Sequence, residues 1–392
     1  MALTIKDNTI YAVEIEDTEG TYKAPTAATS YVQTLADGAE LTPAKELLER
    51  NIFNGSIGKT TPRTGTKSVS GALPVEFRAG ETEGSVPEYD ALLRSAMGTR
   101  KSTDGAITKT GNTASVLQIE DADISEFAVN DIVMVKEAGA YHVSPISAVD
   151  ATGGAANITL AIPAAAAPAD NVVVAAATTY SLADSGHPSL SISKYLESNY
   201  LEQATGCRVS SFALENFTTG QLASFNFGFE GLSFDQSVTA SPFTPDFQDS
   251  LPPIILNACV FQDGVNVDVN ELSFSMENTL GFVTATCSPN GRISSRITER
   301  SITGSFNPYK DDASTAQFDL FNNNTEYSLF AFAYNPTATA GEFENVVAVY
   351  LPKVVTTEMS EADQDNVLQH SLSFSAGRGA DAATDELVVA VM

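Results

Sequence analysis

Two seven-residue stretches, far apart in the chain, match type for type: Lys67-Ser-Val-Ser-Gly-Ala-Leu73 and Arg300-Ser-Ile-Thr-Gly-Ser-Phe306. Both run base, Ser, β-branched, hydroxyl, Gly, small, large apolar, and self-similarity at a distance marks a repeated structural unit. The surroundings repeat too. Each stretch is followed by a strand end, a polar turn and a short predicted helix, Pro87 to Met97 in one half and Ser314 to Phe321 in the other. Each helix is followed by an alternating strand, Leu190 to Tyr195 or Leu329 to Phe332. Late in each half comes another, Gly220-Gln-Leu-Ala-Ser-Phe-Asn-Phe or Asn366-Val-Leu-Gln-His-Ser-Leu-Ser-Phe. The reading is a tandem duplication of one β-rich unit. The competing reading is two unrelated β segments, since strands draw on few residue types and share Ser and Gly turns.

A period of two dominates the chain. Leu272, Phe274 and Met276 alternate with Ser273, Ser275 and Glu277; Val69, Gly71, Leu73, Val75 and Phe77 do the same, as do Phe225, Phe227 and Phe229. This is the pattern of half-buried antiparallel strands. The best helix begins after Ser85, carries Pro87 in its first turn, lines up Tyr89, Leu92, Leu93, Ala96 and Met97, and stops at Gly98. Residues 102–183 differ, being rich in Ala, Thr and Val, with strand signals at Asp131–Lys136 and Asn157–Ile162 and a low-complexity turn from Pro163 to Pro168. A structureless loop of that length is unusual inside a compact domain, so a small inserted β domain is expected. The expected organisation is a first unit of residues 1–101 with 184–250, the insertion at 102–183, and a second unit at 251–392.

A chain of 392 residues exceeds one ordinary core and suits two or three domains. Its formal charge is -28, from 21 basic and 49 acidic side chains. That balance opposes ordinary nucleic-acid binding, which needs clustered Lys and Arg. Either solubility or a surface that must not hold DNA accounts for it. Cys207, Cys259 and Cys287 lack disulfide or zinc spacing, and His142, His187 and His370 lack ligand spacing. The start, MALTIKDNTIYAVEIED, has acids where a signal peptide needs an apolar core, so a cytoplasmic protein is expected.

Catalytic motifs are absent from the sequence. Ser56-Ile-Gly-Lys-Thr ends like a P-loop, but Phe53 stands where the first glycine belongs, and Pro62 follows where a helix must start. Asp150-Ala-Thr-Gly has no second copy, as an aspartic protease would need. There is no nucleophile elbow and no H-E-x-x-H. No enzyme, cofactor or metal is expected. With no tryptophan in the chain, a carbohydrate platform lacks its usual stacking residue.

Several segments, in order, resemble the tail tube proteins of long, flexible-tailed bacteriophages (siphophages). They are Leu41-Thr-Pro-Ala-Lys-Glu, Ser56-Ile-Gly-Lys-Thr, Gly65-Thr-Lys-Ser-Val-Ser-Gly, Phe77-Arg-Ala-Gly and Pro87-Glu-Tyr. The likeness continues through Leu272-Ser-Phe-Ser-Met-Glu-Asn, Cys287-Ser-Pro-Asn-Gly, Arg300-Ser-Ile-Thr-Gly-Ser-Phe and Val349-Tyr-Leu-Pro-Lys. The resemblance implies a mainly β fold: two tail-tube-type β-sandwich or barrel domains, each with a flanking short helix, plus the small inserted β domain. It also implies a virion structural protein, assembled in the host cytoplasm, whose rings of six units stack into a hollow tube for DNA passage. A fused pair of units points to a trimer with pseudo-sixfold symmetry; a hexamer of chains is the alternative. The implied partners are the protein itself, the tape measure and tail terminator proteins, and DNA passing without specific binding; no membrane is implied. The rival functions are another phage structural protein, capsid or tail accessory, and an extracellular β-rich binding module.

Lys59, Arg63 and Lys67, and Arg292, Arg296 and Arg300 around Pro289-Asn-Gly, are the candidate contact residues. They are read either as equivalent basic arms reaching acidic partners on an adjacent ring or subunit, or as solvated charges on hairpins. Between Gly111 and Gly291 the only bases are Lys136, Lys194 and Arg208. The acids of that span suit a DNA-repelling lumen or the outer surface of the insertion.

Overall fold

The computed structural model describes residues 8–53, 55–137, 140–151, 156–197, 199–288, 290–310, 315–337, 343–379 and 385–392. The chain opens with β1 (Thr9–Ile15), the short β2 (Tyr31–Val32) and the hairpin strands β3 (Glu40–Leu48) and β4 (Arg63–Glu76), then α1 (Asp90–Met97) and β5 (Gly98–Thr103). A separate six-stranded sheet follows, made of β6 (Ala106–Ile107), β7 (Val116–Ile119), β8 (Ile132–Glu137), β9 (Ala140–Asp150), β10 (Ala156–Leu160) and β11 (Val173–Val174). Then come β12 (Ala177–Leu182), β13 (Leu190–Leu196), β14 (Tyr200–Thr218), β15 (Ser224–Gly231) and β16 (Ser233–Ser237). The last part holds β17 (Ala258–Gln262), β18 (Val265–Asn266), β19 (Val269–Thr284), β20 (Arg292–Pro308), α2 (Thr315–Asn322), β21 (Tyr327–Pro336), β22 (Phe343–Gln364), β23 (Val367–Ala376) and β24 (Val388–Val391). The fold is mainly β, as the alternation predicts, with two short α-helices among the described residues.

The two halves pair their strands in the same order. In the first, β1 pairs with β13, β13 with β14, β14 with β15, β15 with β4 and β4 with β3, all antiparallel. In the second, β17, β21, β22, β23, β20 and β19 follow the same path. Even the irregularities correspond. A register shift falls between Leu190 and Ile192 on β13 and between Tyr327 and Leu329 on β21, where the partners step from Cys207 to Ala204 and from Val354 to Leu351. A second shift falls between Val209 and Ser211 on β14 and between Thr356 and Glu358 on β22. Bulges bend and twist a strand at a chosen place, so two matched bulges give the two sheets the same curvature. Helix α1 packs on β14 and α2 on β22.

The glycines of the matched stretches have one physical reason. A Cβ on Gly71 would lie 2.5 Å from the Phe229 ring and 2.2 Å from the Glu40 carbonyl oxygen; on Gly304 it would lie 2.3 Å from the Phe374 ring and 2.3 Å from the Ser273 carbonyl oxygen. In each half a buried Phe on the neighbouring strand lies over a bare backbone, with cross-strand partners Gly71↔Phe229 and Gly304↔Phe374. The apolar faces of both halves merge into one core containing Phe77, Phe212, Phe225, Phe227, Phe274, Phe306 and Phe374.

Helix α1 buries Leu92, Leu93, Ala96 and Met97, and it ends at Gly98, whose φ of 101° is open to glycine but strained for other residues. It starts later than its sequence signals suggest. Pro87 sits in a preceding turn, closed by Asp90 N–H donating to the Pro87 carbonyl at 3.0 Å. The carboxylate of Glu88 is held there by Arg78 at 3.1 Å and by the Gln33 N–H at 2.9 Å. Of the second predicted helix, Ser314 lies outside the described residues.

The halves are joined by β14 pairing with β19, with Phe212 opposite Met276 and Leu214 opposite Phe274. Buried Asn278 on β19 donates to the carbonyls of Ala96 at 3.1 Å and Val209 at 3.3 Å. Glu19 completes the joint: it accepts from Arg208 at 2.7 Å, Arg296 at 3.0 Å and the Ser295 N–H at 2.6 Å. The six-stranded sheet has its own core around Leu117, Val133, Val135 and Ile158. Its other face, through Ile132 and Met134, packs with Phe330, Phe332, Val346 and Tyr350 of the second half. The stalk strand β12 pairs with β5 and with β24, which in turn pairs with β22. An insertion in the first half is therefore fastened to the second.

Gly71→Ala and Gly304→Ala should each destabilise the fold by about 1–3 kcal/mol through overpacking against Phe229 or Phe374, while Gly58→Ala on an exposed loop should change little. Calorimetric melting of the three variants checks this. Glu19→Gln should cost about 1–3 kcal/mol, because Arg208 and Ser295 lose a charged acceptor at a largely buried joint, and the same melting experiment reads it.

Candidate assembly interface

The β3–β4 hairpin is an arm. Its strands pair from Glu40↔Ala72 out to Leu48↔Arg63, with a register shift between Lys45 and Leu47. Beyond Leu48 and Arg63 the pairing stops, and residues 49–53 and 55–62 form an exposed tip. The tip is tied locally, by Thr60 Oγ1 donating to the Arg50 carbonyl and by the Gly58 N–H donating to Ser56 Oγ at 3.1 Å. Leu47, Leu48 and Ile52 are about half exposed, and Phe53 and Ile57 are fully exposed. Five large apolar side chains are thus exposed along one arm, as at contact surfaces. Lys59, Arg63 and Lys67 lie on this arm, all exposed. Among the described residues none of the three has a carboxylate within ion-pair distance.

The β19–β20 hairpin is the equivalent arm in the second half, and its register is the same: Lys45↔Lys67 corresponds to Asn278↔Arg300, and Leu48↔Arg63 to Gly281↔Arg296. Between Leu48 and Arg63 lie as many residues as between Gly281 and Arg296, so the tips are equal in length. The second stays zipped as far as Thr284↔Arg292. Its turn rests on the first arm, where the Lys67 N–H donates to the Asn290 carbonyl at 3.4 Å and Gly291 lies against Thr66. Pro289 lies outside the described residues. The three bases of this arm are engaged within the chain. The Arg292 guanidinium lies 4.0 Å above the Phe282 ring, Arg296 pairs with Glu19, and half-buried Arg300 donates to the Ala183 carbonyl at 2.8 Å. Sequence reasoning aligned the two sets of bases but had no signal for this difference in use, nor for Glu19. Phe53 and Ile57 were legible only as apolar residues among turn formers.

Two of the open strand edges correspond to edges that are paired with each other between the halves. Among the described residues β3 pairs with β4 alone, and its residues beyond Leu41 are exposed. On β22, the pairing with β21 ends at Val354, and residues 355–364 pair with β23 on one side. Among the described residues the other side of that stretch has no strand, whereas the corresponding stretch of β14 is covered by β19. Glu358, Glu361 and Asp363 lie along the open part of β22, and Glu361 is ion-paired with Lys310.

A cleft of about 420 Å³ beside Arg300 is lined by Asp184, His187, Ile297, Glu299, Arg378 and Glu386 among others. His187 there faces the carbonyls of Ser95 at 3.1 Å and Ala183 at 3.0 Å, and burial lowers its pKa. His142 bonds the Ile162 carbonyl at 2.8 Å, and His370 is buried on β23. Cys207, Cys259 and Cys287 are free thiols, and burial raises the pKa of the first two. Among the described residues no group of His, Cys, Asp and Glu is placed to hold a metal. Asp150 ends β9, but Thr152 and Gly153 of its protease-like turn lie outside the described residues.

No curated protein matches the chain. A family model described as phage tail tube protein matches residues 6–376, spanning both six-stranded units and the insertion. With nearly its whole length matched, the chain belongs to the phage tail tube protein family.

Proposed function

We propose that this protein assembles head to tail into rings, and that the rings stack into a hollow tail tube for DNA passage during genome delivery. One observation carries the reading: two units of identical strand order are joined edge to edge, and the same two kinds of edge stay open at the far side of each unit. A heterologous contact either closes into a ring or runs on as a filament. With two units per chain, a ring of six units needs three chains, giving pseudo-sixfold symmetry. Closure removes open edges that would be a liability in a free monomer.

The exposed Lys59, Arg63 and Lys67 are proposed to face acidic partners on the next ring. The formal charge of -28 suits a lumen along which DNA slides without adhering, since like charges repel within a Debye length of about 10 Å. The tape measure and tail terminator proteins are the proposed tail partners, the virion the destination, and the host cytoplasm the site of assembly. The division at residues 101, 183 and 250 is proposed as the domain plan. The sheet at 106–174 is proposed as outward decoration that also shields Phe330, Phe332 and Tyr350.

Electron microscopy of the purified protein, with end-on class averages and light scattering, tests the reading. Hollow tubes or rings of three chains with six lobes are expected; six chains per ring would overturn the trimer, and a lasting monomer would overturn the tube. Reversing Lys59, Arg63 and Lys67 together to Glu should abolish stacking into tubes, with the melting temperature of the free chain unchanged. A deletion of 106–174 that also replaces Phe330, Phe332 and Tyr350 by polar residues should leave tubes intact in the same images.

A further inference from the structure

The geometry points to a specific contact between copies: the open edge of β22 receives β3 of the next copy, in the register that joins β14 to β19 inside the chain. This rests on the ring reading above and deepens it by naming the rungs. The matched bulges fix the correspondence on one side, because Val209 and Thr356 are equivalent, as are Ser211 and Glu358. The matched arms fix it on the other, because Leu41↔Gly71 corresponds to Phe274↔Gly304. Inside the chain Ser211 faces Glu277, Phe212 faces Met276, Ala213 faces Ser275 and Leu214 faces Phe274. Carried across, Glu358 faces Ala44 of the next copy, Met359 faces Pro43, Ser360 faces Thr42 and Glu361 faces Leu41.

A one-residue slip would turn every side chain to the opposite face, so burial of Leu41 on one face holds the register. Pro43 is tolerated because β3 is an edge, and its missing N–H leaves the rung to Met359 with a single hydrogen bond. The acids on β22 deter pairing with unrelated edges.

The arm tip follows the same rule. Inside the chain the second tip rests on β4 at Thr66 and Lys67, and it is zipped. The first tip, equal in length and unzipped, then rests on β20 of its neighbour at Glu299 and Arg300. That places Phe53 and Ile57 beside the cleft containing Ile297 and Ile302. The apolar patch thereby gains the cover that the isolated chain does not give it.

Cysteine cross-linking reads the register directly. In a Cys287→Ser background, which removes the exposed thiol, Thr42→Cys with Ser360→Cys should form disulfide-linked dimers and trimers in assembled protein. Either single variant, or Leu48→Cys with Ser360→Cys, should not. In parallel, hydrogen exchange on the unaltered protein should show several-fold slowing at 38–62 and 357–365 on assembly, which covers the case of a cysteine variant that fails to fold. Rings or tubes without the matched disulfide, or with equal linkage of the mismatched pair, would overturn this register and leave the ring reading standing. So would assembly without slowed exchange at both segments. Failure of the unaltered protein to assemble would overturn the ring reading and this contact with it.

Discussion

The pairing of β14 with β19 is the constraint on which the rest depends. A strand edge is a row of unsatisfied donors and acceptors, and it must be paired, covered or blunted. Here the edge of one six-stranded unit is satisfied by the arm of the other, with Asn278 and Glu19 filling the polar requirements around it. The two cores become one as a result, since Phe212 of β14 and Phe274 of β19 meet with ring centroids 5.5 Å apart. What looks like two domains in order of elements is one packed body, and its geometry is set by where β14 bulges.

How much of this could be read from the sequence depended on the range of the interaction. The matched stretches around Gly71 and Gly304 were legible because their cause is local: a bare backbone under a neighbouring Phe demands glycine at one place in an alternating strand. The strands themselves, and the last turn of α1 at Gly98, were legible for the same reason. The partner of each edge was not. Nothing in Val388–Val391 says that it completes a sheet beside β22 and β12, and nothing in Glu19 says that it will bind Arg208 and Arg296. Those pairings are long-range, and their residues carry no periodicity or spacing. The start of α1 was misplaced because Glu88 is committed to Arg78 and Gln33, contacts that override the proline's preference for a first helical turn.

The bases show how a correct alignment can still leave use undetermined. Lys67 and Arg300 are equivalent by register, yet one is exposed and the other reaches the Ala183 carbonyl. The second arm lies against the first half, where Glu19 and the Ala183 carbonyl before β13 supply acceptors. Among the described residues no other unit receives the bases of the first arm. The difference is positional rather than chemical, and it is the difference expected of the leading unit in a head-to-tail pair.

Fusion has an energetic consequence for such a pair. The β14–β19 junction is intramolecular, so its partner is always at high effective concentration and the joint forms with folding itself. The junction between chains must instead meet the translational and rotational cost of association. In the proposed ring, a chain with one junction made in advance would close six units through three intermolecular contacts rather than six. It can therefore tolerate weaker individual contacts. An edge carrying Glu358, Glu361 and Asp363, opposite a strand interrupted by Pro43, is weakened in that way. In the proposed ring such an edge would resist pairing one contact at a time and would hold once closure made all three contacts mutually supporting.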